Sequence, residues 1–194
     1  MIAARDHYIV WSDTPQYWQW VSLPESRFPE VAELIDVCWF EIRGKISTKM
    51  LSPGTSYVAY LVFTLKSSAH GFDHPAEAFV ELTGQASQRH NVFLDPDGAH
   101  RERRQIVPRN LGSAYRRLPR MVREQMVEIA SAETADTKRP KTRGDGWMEV
   151  ELGEYFVEGG EDADLEFGVM EVKHGNWKKG FIFQGIEVRP KGVK

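Results

Sequence analysis

Six tryptophans occur in 194 residues, and three crowd the N-terminus: Trp11, Trp18 and Trp20, with Tyr17 between them. Trp18 and Trp20 stand two apart, which puts both rings on one face of a strand. A turn signal, Asp13-Thr14-Pro15-Gln16, separates them from Trp11. A flat indole suits a sugar. The apolar C–H face of a pyranose lies on the ring while the hydroxyls take polar partners. The same rings also suit a core, because Trp packs wherever one side is apolar and its N–H finds an acceptor.

Carboxylates gather near the C-terminus. Glu158-Gly159-Gly160-Glu161-Asp162-Ala163-Asp164 reads as an acidic turn, followed by a strand carrying Glu166 and Glu171. On a regular strand Asp164, Glu166 and Gly168 share one face and Glu171 takes the other. Convergence of Asp164 and Glu171 needs a bulge or bend, for which Gly168 is the candidate. Two such carboxylates could be the acid and base of a glycoside hydrolase. They could equally accept hydrogen bonds from sugar hydroxyls, or form a plain solvated turn. The D-x-D-x-D-G spacing of a calcium loop is absent.

Other chemistry has little support. Of six histidines only His70 and His74 are close, in HGFDH, with no Cys partner and no HExxH, so no metal site is expected. GxSxG, GxGxxG and GxxxxGK[ST] do not occur. The single cysteine, Cys38, excludes an internal disulfide and is expected as a buried thiol on the inward face of a strand. Lys138-Arg139-Pro140-Lys141 is a basic cluster of the kind nuclear import receptors read, or a solvated loop.

The elements that must position these residues are β. Alternation marks half-buried strands at 36–46 (Cys38, Phe40, Ile42), 76–82 (Ala76, Ala78, Val80, Leu82), 148–152 (Met148, Val150, Leu152) and 164–169 (Leu165, Phe167, Val169). Ile182, Ile186 and Val188 belong to another. The nearly wholly apolar run at 56–65 predicts a central strand buried on both faces. Short strands with Gly/Pro/Asp turns predict an all-β fold, a β-sandwich or jelly roll.

Charge divides the chain. Residues 99–143 hold 12 Lys/Arg and 5 Asp/Glu, a net of +7, which leaves −10 on the remainder of a chain of net −3. This stretch reads as a basic insertion into a single domain, because forty-five residues supply little core of their own. Leu118, Met121, Val122, Met126 and Ile129 suggest a helix near 120–132, with a loop as an equal alternative and a ragged strand as a third. No run of about 18 apolar residues occurs, so no membrane-spanning helix is expected. MIAARDHYIV at the start lacks the apolar core of a signal peptide, so none is expected.

Six blocks then carry a resemblance: IAARDHYIVWSDTPQYWQW, VAELIDVCWFEIRGKISTKML, TSYVAYLVFTL, RGDGWMEVELGEYF, GGEDADLEFGVMEV and NWKKGFIFQGIEVRP. In that order they resemble the plant phloem protein 2 domain, the domain of the Nictaba-like lectins. The resemblance implies a jelly-roll β-sandwich without catalysis, cofactor or metal. It implies binding of N-acetylglucosamine oligomers, N-glycan cores and glycoproteins, homodimerisation, and a place in cytoplasm, nucleus or phloem sap in defence or stress. Its motif positions carry carbohydrate binding to Trp11, Trp18, Trp20, Asp164 and Glu171. The family often has Glu where this chain has Asp164, one methylene shorter. Many relatives carry an F-box ahead of this domain; this chain starts at the domain, so a ubiquitin-ligase role is not expected. Two rivals remain: a glycoside hydrolase using Asp164 and Glu171, and a nucleic-acid or protein-interaction module acting through 99–143.

Overall fold

The computed structural model describes residues 1–85, 89–96, 137–160 and 162–192. Within them the chain forms two antiparallel sheets. One runs β3 (Trp18–Val21), β4 (Val31–Leu34), β12 (Lys179–Pro190), β6 (Thr55–His70), β10 (Met148–Val157) and β9 (Lys141–Thr142), with β1 (Ile2–Ala3) also paired to β12. The other runs β2 (Tyr8–Ile9), β5 (Phe40–Ser47), β11 (Asp164–Glu171), β7 (Ala76–Leu82) and β8 (His90–Val92).

The sheets face each other across one core. Its residues are the alternating apolar positions of both: Phe40 and Ile42, Leu61 and Phe63, Ala78 and Val80, Val150 and Leu152, Phe167 and Val169, Phe181 and Phe183. The run at 56–65 does form the middle of a strand, β6, between β12 and β10. Its second face is apolar for a reason. Val62 joins Val31, Ile182 and Trp147 in a smaller cluster on the outside of that sheet. Trp147 closes it, and its Nε1–H donates to the Glu25 carbonyl at 3.1 Å.

Three expectations need correction. Ile182 and Ile186 do not share a face: an irregularity between Phe183 and Gly185 inserts a residue, so Ile182 joins the outer cluster and Ile186 the main core. Cys38 is not on a strand; it sits partly exposed in the bend between Val37 and Phe40. Gly168 makes no bulge, because β11 pairs in unbroken register with β5 and β7. It is glycine because a Cβ there would stand 2.7 Å from the Ile42 carbonyl oxygen and 2.9 Å from the Phe79 ring.

The described end of the basic stretch, residues 137–143, belongs to the fold. Lys138 bridges Val92, and β9 adds to the edge of β10. Arg143 pairs with Glu149 and Glu187 on the outer face of the larger sheet. The helix expected near 120–132 lies outside the described residues.

Candidate functional site

One corner of the sandwich gathers segments from three parts of the chain. The Val10 N–H donates to the Glu41 carbonyl at 3.1 Å, which leads Trp11 past the start of β5. Val37 and Lys178 exchange both main-chain hydrogen bonds, at 3.0 and 2.7 Å. The bend at 37–39 and the loop at 172–178 are thereby tied together.

Trp11 is the residue of that corner most plainly built for contact. It is 42% exposed. Its ring lies on Tyr17 with centroids 5.2 Å apart. Its φ of 58° is the one positive value at a non-glycine among the described residues. A bulky residue in the left-handed region is strained by about 1–3 kcal/mol, and such strain concentrates where ligands are held. The turn expected at 13–16 is present: the Thr14 N–H donates to the Trp11 carbonyl and the Tyr17 N–H to the Thr14 carbonyl.

Glu171 ends β11 at the same corner, opposite Phe40 in β5. Its side chain is buried and engaged. The His174 main-chain N–H donates to Oε1 at 3.0 Å, and His174 Nδ1 lies 2.9 Å from the same oxygen. The other oxygen forms an ion pair with Lys178, whose side chain is fully buried. The Lys178 ammonium also donates to the carbonyls of Asn176 (2.8 Å) and Cys38 (3.4 Å), so its three protons have three acceptors. Burial pushes the Glu171 pKa up, but hydrogen bonds from Lys178 and His174 outweigh it and hold the carboxyl below its ordinary value. The carboxylate therefore anchors the 172–178 loop from within, and Lys178 carries the link on to the bend at Cys38; little of the carboxylate faces solvent.

The remaining expected site residues lie elsewhere. Trp18 does share a face with Trp20, but that face points inward. Trp18 is 2% exposed, packs on Phe40 at 6.3 Å, and cannot present its ring to a ligand. Trp20 is half-buried against the core, with the Arg5 guanidinium 3.7 Å above its ring and Arg5 held by Glu30. Asp164 begins β11, whereas Glu171 ends it. Seven strand steps of about 3.3 Å put them roughly 23 Å apart. A glycosidase pair works at about 5–9.5 Å. Without the bulge at Gly168 the two carboxylates do not converge. Asp164 pairs instead with Lys45 at 2.7 Å, near an open groove of about 480 Å³ between Thr48, Leu51, Pro53 and Val157.

Sequence reasoning passed over four residues of the corner. Trp39 is 45% exposed, with its Nε1–H on Glu41 Oε2 at 2.8 Å; Trp177 is 53% exposed. Trp177 and Lys178 stand in the NWKKG block, and the alternation that placed Cys38 inward already implied Trp39 outward. His174 had no signal at all. The structure stacks it on His74, with ring centroids 4.0 Å apart and planes 6° from parallel. His70 is not His74's partner there; its Nδ1 lies 3.4 Å from the Ser68 carbonyl. Among the described residues no group of three His, Cys, Asp or Glu could hold a metal ion. Within the basic cluster, Lys138 pairs with Glu151 and Arg139 lies over Phe93.

Two facing antiparallel sheets with an aromatic surface corner define an all-β domain whose candidate site is a platform rather than a deep cleft. The model of the family Phloem protein 2 matches residues 1–190, and the chain belongs to that family. It is 43% identical over 191 residues to F-box protein At2g02240 of Arabidopsis thaliana, and 45% over 188 residues to putative F-box protein PP2-B2 of the same plant. It is 40% identical over 209 residues to F-box protein PP2-B1. These alignments cover 98%, 96% and 98% of this chain but 51%, 51% and 62% of the relatives, so the chain spans little more than half their length.

Proposed function

We propose that this domain is a lectin that binds N-acetylglucosamine oligomers and N-glycan cores without turning them over. The observation that carries the reading is Trp11: an exposed indole on a strained backbone, backed by Tyr17, at a braced corner of a rigid sandwich. A pyranose face stacks on such a ring, and the polar groups around it take the hydroxyls. Trp18 belongs to the core, and Glu171 anchors the 172–178 loop at the corner. Trp20 and Asp164 fall outside it. A jelly-roll topology for the two sheets, homodimerisation, and action in cytoplasm or nucleus belong to the same proposal.

A shallow platform binds weakly, at roughly millimolar to micromolar Kd, about −4 to −8 kcal/mol. Two sites on a dimer would raise avidity on multivalent glycans. Calorimetry with the N-acetylglucosamine trimer tests the reading. Binding by the wild-type chain and its loss in Trp11→Ala are expected; equal binding by both removes Trp11 from the site. Release of reducing ends from the trimer would instead favour a hydrolase. An affinity for nucleic acid that falls steeply with salt would favour the interaction module.

A further inference from the structure

The six tryptophans divide by place. Trp18 and Trp147 are buried and Trp20 is capped by Arg5. The other three, Trp11, Trp39 and Trp177, are each 42–53% exposed, and all three border the one corner built from 10–11, 37–41 and 177–178. The segments that carry them are tied by main-chain hydrogen bonds between nearby residues: Val10 to Glu41, and Val37 to Lys178. Among the described residues the other exposed large apolar side chains are Tyr8, Met50 and Phe156, of which Met50 and Phe156 are single residues on other segments. Exposed rings gathered at one place mark a binding surface more reliably than scattered ones.

We propose that Trp39 and Trp177 are additional stacking subsites beside Trp11, so that the corner takes successive rings of a β-linked N-acetylhexosamine chain rather than a single sugar. This rests on the lectin reading and names the extent of its site. Two features favour a polyhydroxylated chain over an apolar partner. Charged groups interleave them: Trp39 is tethered to Glu41, Glu41 is held by Arg43 at 2.6 Å, and Lys173 pairs with Glu77 near the loop that carries Trp177. The tether fixes the Trp39 indole N–H to a carboxylate and so limits the ring's freedom before any ligand arrives, which lowers the entropy lost on binding. The Trp177 loop is fixed in turn by the buried Lys178 and by Gly71, whose missing Cβ would lie 2.1 Å from the Trp177 carbonyl oxygen.

Calorimetry with the N-acetylglucosamine monomer, trimer and pentamer tests the assignment. The wild-type chain is expected to gain at least tenfold in affinity from monomer to pentamer. Trp39→Ala and Trp177→Ala should each lose fivefold or more for the pentamer and less than twofold for the monomer. Phe156→Ala, on the other sheet, should match wild type. In the unmodified chain, addition of pentamer should move the indole N–H resonances of Trp39 and Trp177 as well as that of Trp11, a readout independent of whether the variants fold. Wild-type binding with neither resonance moving, or with full length dependence in both folded variants, overturns the subsites alone. No binding of any oligomer by the wild-type chain overturns the lectin reading and the subsites together.

Discussion

The fully buried ammonium of Lys178 is ion-paired to the Glu171 carboxylate and also reaches the carbonyl of Cys38, 140 residues away in sequence. One lysine thus locks the end of β11, the bend before β5 and the loop before β12 into a single corner. Around this closed polar knot stand the three exposed tryptophans. A site of flat rings needs such a brace, because a ring that moves by an ångström loses its partner.

Removing one side of the knot leaves a buried charge unpaired. Lys178→Met is expected to lower stability by about 3–5 kcal/mol in urea denaturation. Glu171→Gln keeps an acceptor and should lose about 1–3 kcal/mol. The double variant should be more stable than Lys178→Met alone; simple addition of the two losses would show that the groups are not coupled.

Acid should act in two stages. Burial depresses the pKa of His7 below 6.5; its Nδ1–H donates to the Ala3 carbonyl and its ring packs between Phe167 and Phe183. The unfolded chain takes up that proton first, so stability falls as pH drops below about 6.5. Glu171 is depressed below 4.5, so its contribution is full above that value and is lost as pH falls through the folded pKa. Melting temperature against pH should show both declines. His7→Phe should flatten the first and Glu171→Gln the second.

Trp18 and Trp11 should separate stability from binding. Trp18→Ala opens a cavity beside Phe40 and is expected to lower stability by about 3–5 kcal/mol. Trp11→Ala should change stability by less than about 1 kcal/mol and abolish trimer binding. A folded, non-binding Trp18→Ala of unchanged stability would place Trp18 in direct contact with ligand.

Gly71 adopts φ +89°, where its main chain passes directly against Trp177. Gly71→Ala adds a strained backbone and a clash, so a loss of about 1–3 kcal/mol is expected, together with weaker pentamer binding as the Trp177 loop shifts. Affinity equal to wild type would mean that this loop does not hold a subsite.

Asp164 stands at the far end of β11, in an exposed pair with Lys45. Asp164→Asn should leave trimer affinity within twofold of wild type in calorimetry. A large loss would put a binding contact at the acidic end, beside the groove near Thr48 and Pro53.

The sequence alone determined the fold class, because side chains on a strand repeat every two residues and that period is printed in the chain. Phe40 and Ile42, Ala76 to Leu82, and Leu165 to Val169 all packed as their alternation requires. It also carried the family, the turn after Trp11, and the common face of Trp18 and Trp20. What a period cannot state is which face another sheet will cover. Trp18 and Trp11 are chemically identical, yet one lies on the covered face of β3 and the other on an open turn. Nor does local spacing report irregularities: one extra residue near Gly185 reversed Ile182 relative to Ile186, and the absence of one at Gly168 kept Asp164 and Glu171 apart. The corner itself is a long-range product. Lys178 meets Cys38 and Glu171 only after β5, β11 and β12 have taken their places in two different sheets, so tertiary packing, not local sequence, decided which tryptophans face solvent and which carboxylate braces them.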